Sequence, residues 1–390
     1  MSVRILQGDC RDVMKTLADS SVDSIVTDPP YELGFMGKSW DSTGIAISVE
    51  MWKEAMRVLK PGGHLLAFSA SRTYHRMACA IEDAGFEIRD QIMWLYSQGF
   101  PKSLNISKAI YKSAGAVREV VGINPNSRPN MIHVDAAVLS PRVGAPITAP
   151  ATDAARQWDG WGTALKPAHE PIVMARKPLA KGCTVAANVL AHGTGAINVD
   201  GCRIEGALDG DPNRSAKTDG GSFASLAKHA PVVRAGGRWP ANICHDGSDE
   251  VLAGFPVTTS GTIAPHHQRH TQGGNGNTMG AMDGFLGASF GDTGSAARFF
   301  YCAKSSKADR GEGNNHPTVK PSALMRYLCR LVTPPGGTIL DPFAGSGSTG
   351  RAADIEGFNA ILIELDPEYA AIASKRINGD SPLFANVVAA

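Results

Sequence analysis

Apolar positions come in two alternating periods over the first hundred residues. Val3–Leu6 is a short apolar run ending at Gly8-Asp9, and Asp12–Leu17 follows with helical spacing. Asp23–Thr27 is a second apolar run that stops at Asp28-Pro29-Pro30-Tyr31. Across residues 46–59, Val49, Trp52, Ala55, Met56 and Leu59 fall on one helical face, and the pattern ends at Pro61-Gly62-Gly63. His64–Phe68 predicts a buried strand, Arg72–Ala84 a helix closed by Gly85, and 88–96 another strand. The last ninety residues repeat the style. Ser322–Val332, Thr349–Glu356 and Pro367–Ile377 predict helices, Thr338–Leu340 and Asn359–Leu365 strands, and 381–390 a frayed tail. Strands alternating with helices predict an α/β fold with a parallel sheet.

The middle of the chain breaks this rhythm. Residues 115–165 and 179–295 are rich in Gly, Pro, Asn, Asp and Thr, with β-like runs at Val185–Val189 and Ile197–Val199. The stretch 260–294 is nearly all breakers and reads as a mobile loop. Pro171–Ala175 is one further strand between these stretches. No internal repeat is visible. The expectation is one α/β sheet interrupted by a loop-rich insertion.

Composition sharpens this picture. Apolar residues are 43% of 390, enough for a sizeable core, and 43 glycines exceed the usual ~7% and predict many loops. No run approaches 18 apolar residues, which excludes a membrane-spanning helix of that kind. The first eleven residues enter a strand without the apolar core of a signal peptide. Seven cysteines without a CxxC pair point to reduced thiols, hence a cytoplasmic setting. The net charge of +1 hides an asymmetry. Residues 100–315 hold 22 Lys+Arg against 17 Asp+Glu and eight of the eleven histidines. A basic middle between acidic flanks suits an anionic partner, though such an excess also occurs on ordinary solvated surfaces. His266, His267 and His270 have no cysteine or acid cluster to complete a metal site, so no metal is expected.

Two motifs carry chemistry. Asp341-Pro342-Phe343-Ala344-Gly345-Ser346-Gly347-Ser348-Thr349-Gly350 follows a strand and opens a helix, and Glu364 ends the next strand. Gly345, Gly347 and Gly350 satisfy GxGxxG. Such a turn lets a ligand approach the backbone, and the acid can bind ribose hydroxyls, so an adenosine-containing cofactor is expected. A dinucleotide is one form of it, and a plain glycine-rich βα turn is the structural alternative. The Gly-Lys-Ser/Thr ending of a P-loop is missing. Asp28-Pro29-Pro30-Tyr31 also ends a strand, at the sheet edge where ligands bind in such folds. Its prolines donate no N–H, leaving carbonyls and an acid that suit a planar amino group stacked on Tyr31. A simple loop start is the alternative. Ser69-Ala70-Ser71 could line a base pocket or cap the following helix. Trp158 and Trp161 read as core or loop anchors more readily than as base wedges.

Together these motifs resemble the amino-methylating DNA methyltransferases that act on adenine N6 or cytosine N4. The order, catalytic motif first and cofactor motif last, is similar to the β-group of that family. Gly8-Asp9, Arg57-Val58-Leu59-Lys60-Pro61-Gly62-Gly63, His316-Pro317-Thr318-Val319-Lys320-Pro321, His169-Glu170 and Trp94 add to the likeness, and Gly237–Asn242 is similar to prophage-like members. The resemblance implies a Rossmann-like S-adenosylmethionine-dependent methyltransferase sheet with a loop-rich target-recognition insertion. Residues 1–97, 166–178 and 296–390 would form the catalytic and cofactor-binding core, and 98–165 and 179–295 the recognition insertions.

The resemblance also implies roles. Asp28, Pro29, Pro30 and Tyr31 would be catalytic. Asp341, Phe343, Gly345 and Gly347 would line S-adenosylmethionine, and Glu364 would hold its ribose. Asp9 would meet its adenine amino group, with Thr318 and Lys320 near its methionyl end; for Lys320 the plain alternative is a helix-start lysine in solvent. The implied substrate is double-stranded DNA, with the target base flipped out of the duplex. The implied product is N6-methyladenine, because Asp at the first motif position leans that way. A homodimer is implied by the family's habit. An NAD-dependent oxidoreductase, an RNA or protein-glutamine methyltransferase and a catalytically silent DNA-binding module remain as alternatives.

Overall fold

The computed structural model describes residues 2–34, 39–99, 103–117, 119–124, 145–150, 152–205, 237–259, 293–304, 309–311, 313–316, 318–380 and 388–389. Two compact units are present, one built from 1–97 and 169–390 and a smaller one from 98–168.

The larger unit is organised on a ten-stranded sheet. In chain order its strands are β1 (Val3–Gln7), β2 (Val22–Thr27), β3 (Leu59–Phe68), β4 (Glu87–Leu95), β7 (His169–Arg176), β8 (Ile243–His245), β11 (Tyr301–Cys302), β12 (Thr338–Asp341), β13 (Asn359–Glu364) and β14 (Val388–Ala389). The spatial order is β11-β8-β4-β7-β3-β2-β12-β13-β1-β14. Every pairing is parallel except those of β7, which runs antiparallel to β3 and β4. A small hairpin, β9 (Val257–Thr259) with β10 (Thr293–Ser295), stands apart from the sheet. The smaller unit holds the antiparallel pair β5 (Val120–Asn124) and β6 (Ala145–Thr148) and helices α4 (Ile106–Ser113) and α5 (Asp153–Gln157).

Alternate strand residues serve opposite faces. Val26, Leu66, Ile339 and Leu362 face α8 (Ser322–Val332), α9 (Ser348–Glu356) and α10 (Pro367–Asp380). Ile25, Leu65, Leu340 and Ile361 face α1 (Cys10–Lys15), α2 (Val49–Val58) and α3 (Tyr74–Asp83). Each such fully buried aliphatic side chain contributes about 1.5–3 kcal/mol. Helix α2 shows how local sequence sets this up. Ser48 caps it by accepting from Met51 N at 3.3 Å, and Met51, Trp52, Ala55 and Val58 are buried along one face.

Several expectations are corrected. Pro61-Gly62-Gly63 does not separate α2 from a later strand, since β3 begins at Leu59. The breakers sit at an irregular register beside Val22 and Ser24, and the Pro61 carbonyl is taken by Asn188 Nδ2 (2.8 Å) and Thr194 Oγ1 (2.6 Å). Val185–Val189 is not a β run but the body of helix α6 (Val185–His192). Thr184 caps it and Gly193, at φ 75°, ends it, so the caps outweigh the β-branched residues. Ile197–Val199 forms no strand, because Val199 N bonds back to Ile197 O and leads into a tight turn at Asp200–Cys202. Val388–Ala389, expected to fray, adds an edge strand beside β1. Within 179–295, β8 pairs with β4 and belongs to the main sheet. The loop expected at 260–294 lies outside the described residues except for 293–294, which pair in β10.

Candidate active site

Strands β2 and β12 are neighbours whose successors leave in opposite directions, β3 on one side and β13 on the other. The crevice at their carboxyl ends is where open α/β sheets bind ligands. Both expected motifs open here, and one hydrogen bond ties them: Thr27 Oγ1 donates to Asp341 Oδ1 at 2.6 Å.

The turn after β2 is held from below. Asp41, which is buried, accepts from the backbone N–H groups of Tyr31 (2.7 Å), Glu32 (3.0 Å) and Leu33 (3.2 Å). Thr73 Oγ1 donates to the Tyr31 carbonyl at 2.8 Å. With φ fixed at Pro29 and Pro30, the turn has little freedom left. It presents Asp28 and the Tyr31 ring.

Lys320 closes the site from another direction. Its ammonium lies 2.8 Å from Asp28 Oδ2 and 3.2 Å from Glu170 Oε2, and it donates to the Tyr31 hydroxyl at 3.0 Å. The Tyr31 hydroxyl donates to Glu170 Oε2 at 3.1 Å. The Lys320 nitrogen also lies 4.9 Å from the Phe68 ring centre and 5.3 Å from that of Tyr31. Burial alone would lower the Lys320 pKa, but Asp28 and Glu170 outweigh it and hold the group above its ordinary value. It therefore stays charged. Burial first, then the negative charges of Asp28 and Glu170, push the Tyr31 phenol well up. One carboxylate oxygen is left over: Asp28 Oδ1 is buried and has no hydrogen-bond partner among the described residues. A buried acceptor without a donor is costly, and an incoming N–H would satisfy it.

The glycine turn forms the other half. Gly345 N donates to Glu364 Oε2 (2.7 Å) and Asp366 N to Glu364 Oε1 (2.9 Å). Burial raises the Glu364 pKa against these bonds. Gly345 has φ +51°, and a Cβ there would stand 2.9 Å from His316 Nε2. At Gly347, φ +80°, it would meet Ala373 on α10 at 2.8 Å. The His316 ring packs edge-on against Tyr369 at 4.5 Å, and burial pushes it down to about 4, so it is neutral. Phe343 is half-buried against the core. Asp9 caps α1 through Arg11 N (2.9 Å) and is paired with the Arg11 guanidinium at 2.6 Å, which lowers its pKa. Gly8 N bonds the Glu364 carbonyl at 2.9 Å, so Asp9 starts beside that strand end. Thr318 is exposed, next to His316.

The structure thus joins Asp28, Tyr31 and Lys320 directly, and Gly345 with Glu364. Glu170, Asp41, Thr73 and His316 are added by the fold. Glu170 was visible only as a strand start, and Asp41 carried no motif at all. Ser71 does not cap α3; Thr73 occupies that position, and Ser71 Oγ pairs with His169 Nε2 at 3.2 Å. Trp158 and Trp161 pack edge-to-face at 5.1 Å in the smaller unit, both exposed. His266, His267 and His270 lie outside the described residues. Among the described residues no helix is long and apolar enough to cross a membrane.

A family model described as DNA methylase matches residues 22–375. The DNA adenine methyltransferase YhdJ of Escherichia coli K12 is 42% identical over 67 residues, 17% of this chain and 23% of that protein. The type II methyltransferase M.HindIII of Haemophilus influenzae is 28% identical over 152 residues, 38% of each. The matched stretches therefore span well under half of either relative. A solved structure of the cytosine-N4-specific PvuII DNA methyltransferase aligns over 100% of this chain and 89% of that one, at 13% identity and a TM-score of 0.45.

Proposed function

Because the chain belongs to the N6/N4 DNA methylase family, we propose that it transfers a methyl group to the N6 amino group of adenine in duplex DNA. S-adenosylmethionine is the cofactor that goes with this family, and the residues present fit it. Glu364 offers carboxylate oxygens at a strand end, Gly345 bares its backbone where a side chain would collide, and Asp28 keeps an unfilled acceptor. When bound, this cofactor supplies an electrophilic methyl on a sulfonium.

The chain's own residues do the rest. An exocyclic amine is a poor nucleophile while its lone pair is shared with the ring. Asp28 Oδ1 and the Pro29 carbonyl accept its two N–H groups and favour a pyramidal nitrogen whose lone pair is free to attack. Asp28 and Glu170 together outweigh Lys320, so the cluster carries one net negative charge. That charge suits the positive charge that grows on the amine, a case of preorganised electrostatics. The target atom is unreachable inside a duplex, so the base flips out at a cost of a few kcal/mol. Stacking on Tyr31 offsets part of it, at ~1–3 kcal/mol.

The unfilled Asp28 oxygen carries this reading. Adenine is favoured by Asp at the first motif position and by the likeness to an adenine methyltransferase. In this reading 98–165 and 179–295, which lie outside the repeating α/β pattern, read the sequence, the enzyme works in the cytoplasm, and two copies pair. The test is direct. DNA incubated with the enzyme and labelled cofactor is digested to nucleosides and weighed. N6-methyladenine is the expected product. N4-methylcytosine alone would overturn the choice of base, and no methylated nucleoside would overturn the activity.

A further inference from the structure

Resting on the methyl-transfer reading above, we infer that Glu170 is a positioning residue for the reaction, holding Lys320 and Tyr31 so that Asp28 keeps its negative charge for the amine. The topology explains how a strand start reaches the active edge. Parallel strands deliver their last residues there, as β2 delivers Asp28. Strand β7 is reversed, so it delivers its first residues instead. His169 pairs with Leu95 and Ile172 with Phe68, the ends of β4 and β3. Glu170 therefore faces the same crevice from the opposite chain direction.

The charges show why it is needed. Lys320 is buried and 2.8 Å from Asp28. A lone pair of these two would be neutral, and much of the carboxylate's charge would be spent on the ammonium. Glu170 draws on the same ammonium at 3.2 Å and also accepts from the Tyr31 hydroxyl. The ammonium is shared, the stacking ring is fixed at its far end, and Asp28 Oδ1 stays unpaired. Removing the charge of Glu170 makes the cluster neutral. Removing Lys320 as well restores one net negative charge, now on Asp28 alone.

The experiment measures steady-state methylation of a duplex carrying the established target, with saturating cofactor and DNA. Thermal melting and calorimetric cofactor binding are run on each variant. Glu170→Gln is expected to lower kcat by up to about 100-fold, the scale of a small misplacement of reacting groups, with the cofactor KM within about threefold. Glu170→Asp, which keeps the charge, is expected to fall between Gln and wild type and secures the test if the Gln variant folds poorly. The double variant Glu170→Gln/Lys320→Met is expected to turn over faster than Glu170→Gln alone, a non-additivity that mere loss of packing would not produce. A Glu170→Gln enzyme with kcat within twofold of wild type would overturn the inference, as would a double variant that turns over no faster than Glu170→Gln alone. Wild-type enzyme that methylates no DNA would instead overturn the parent reading.

Discussion

Two neighbouring strands end in the same dipeptide, and the two turns behave oppositely. Asp28-Pro29 follows β2 directly, and Asp341-Pro342 begins with the last residue of β12. Asp341 is buried and consumed by the protein. Its Oδ1 accepts from Thr27 Oγ1 at 2.6 Å and from Phe343 N at 3.1 Å. Asp28 has one oxygen on Lys320 and one on nothing. The chain then diverges. Prolines follow Asp28, and the N–H groups beyond them are absorbed by Asp41. Glycines follow Asp341, and Gly345 N is aimed at an acid that itself lines the crevice. One turn is thus an acceptor surface and the other a close-approach surface. An identical motif start does not distinguish the two acids; the unfilled lone pair of Asp28 does, and it is the ground for proposing Asp28 as the reacting one.

The comparison breaks first at Asp28. Asp28→Ala is expected to reduce methyl transfer by about 10³-fold or more, the scale of a lost preorganised electrostatic group. Fold and cofactor affinity should stay near wild type, because the carboxylate serves the amine. Single-turnover assays together with calorimetry check this; near-normal turnover would make the two acids equivalent and remove the distinction.

Asp341 should respond to pH where Asp28 responds in catalysis. Burial raises its carboxyl to about 6, against the ordinary aspartate value of about 3.9. Between these values the unfolded chain has released the proton and the folded chain still holds it. Stability therefore falls as pH rises through that window, by up to about 3 kcal/mol. Asp341→Asn keeps the accepting oxygen and cannot ionise. Relative to wild type it should gain about 2 kcal/mol between pH 4.5 and 7.5, read from urea unfolding at both pH values. An unchanged difference would show that Asp341 is not the bracing acid.

Much of this contrast was legible in the sequence, and its decisive part was not. The alternating strands and helices, both turns and the acid at Glu364 follow from short-range pattern, since each depends on neighbours a few residues away. The α8 bounds expected from spacing, Ser322–Val332, are those observed. Glu170 and Asp41 escaped because their meaning is tertiary. Glu170 matters only because β7 is reversed, and nothing in its local spacing says so. Lys320 looked like a solvated helix-start lysine as plausibly as a site residue; its burial between Asp28 and Glu170 depends on packing 150 and 292 residues away. The β-like reading of 185–189 failed where a Thr184 cap and Gly193 overrode side-chain preference.

The glycine turn is tested more gently through Glu364. Its two oxygens hold Gly345 N and Asp366 N, and lone pairs remain for a ribose hydroxyl. Glu364→Ala is expected to weaken cofactor binding by about 1–3 kcal/mol, the cost of a lost buried hydrogen-bond partner, with Glu364→Gln milder. Calorimetry decides it, and unchanged affinity in a folded variant would leave the turn without its assigned ligand.

The smallest effect should come from Arg11, near the proposed cofactor turn but on the surface. Its guanidinium pairs with Asp9 at 2.6 Å, with side chains 57% and 30% exposed. Water and salt screen such a pair, which contributes about 1 kcal/mol or less. The cap on α1 is made to Arg11's backbone N–H, which Arg11→Ala keeps. The variant should therefore melt close to wild type. Its cofactor affinity should change by no more than about threefold, under 1 kcal/mol on the same scale, because Asp9 retains its position. Calorimetry in low and high salt reads both expectations. A loss comparable to that of Glu364→Ala would mean that the guanidinium itself meets the cofactor, and the close-approach surface would then extend beyond the glycine turn onto α1.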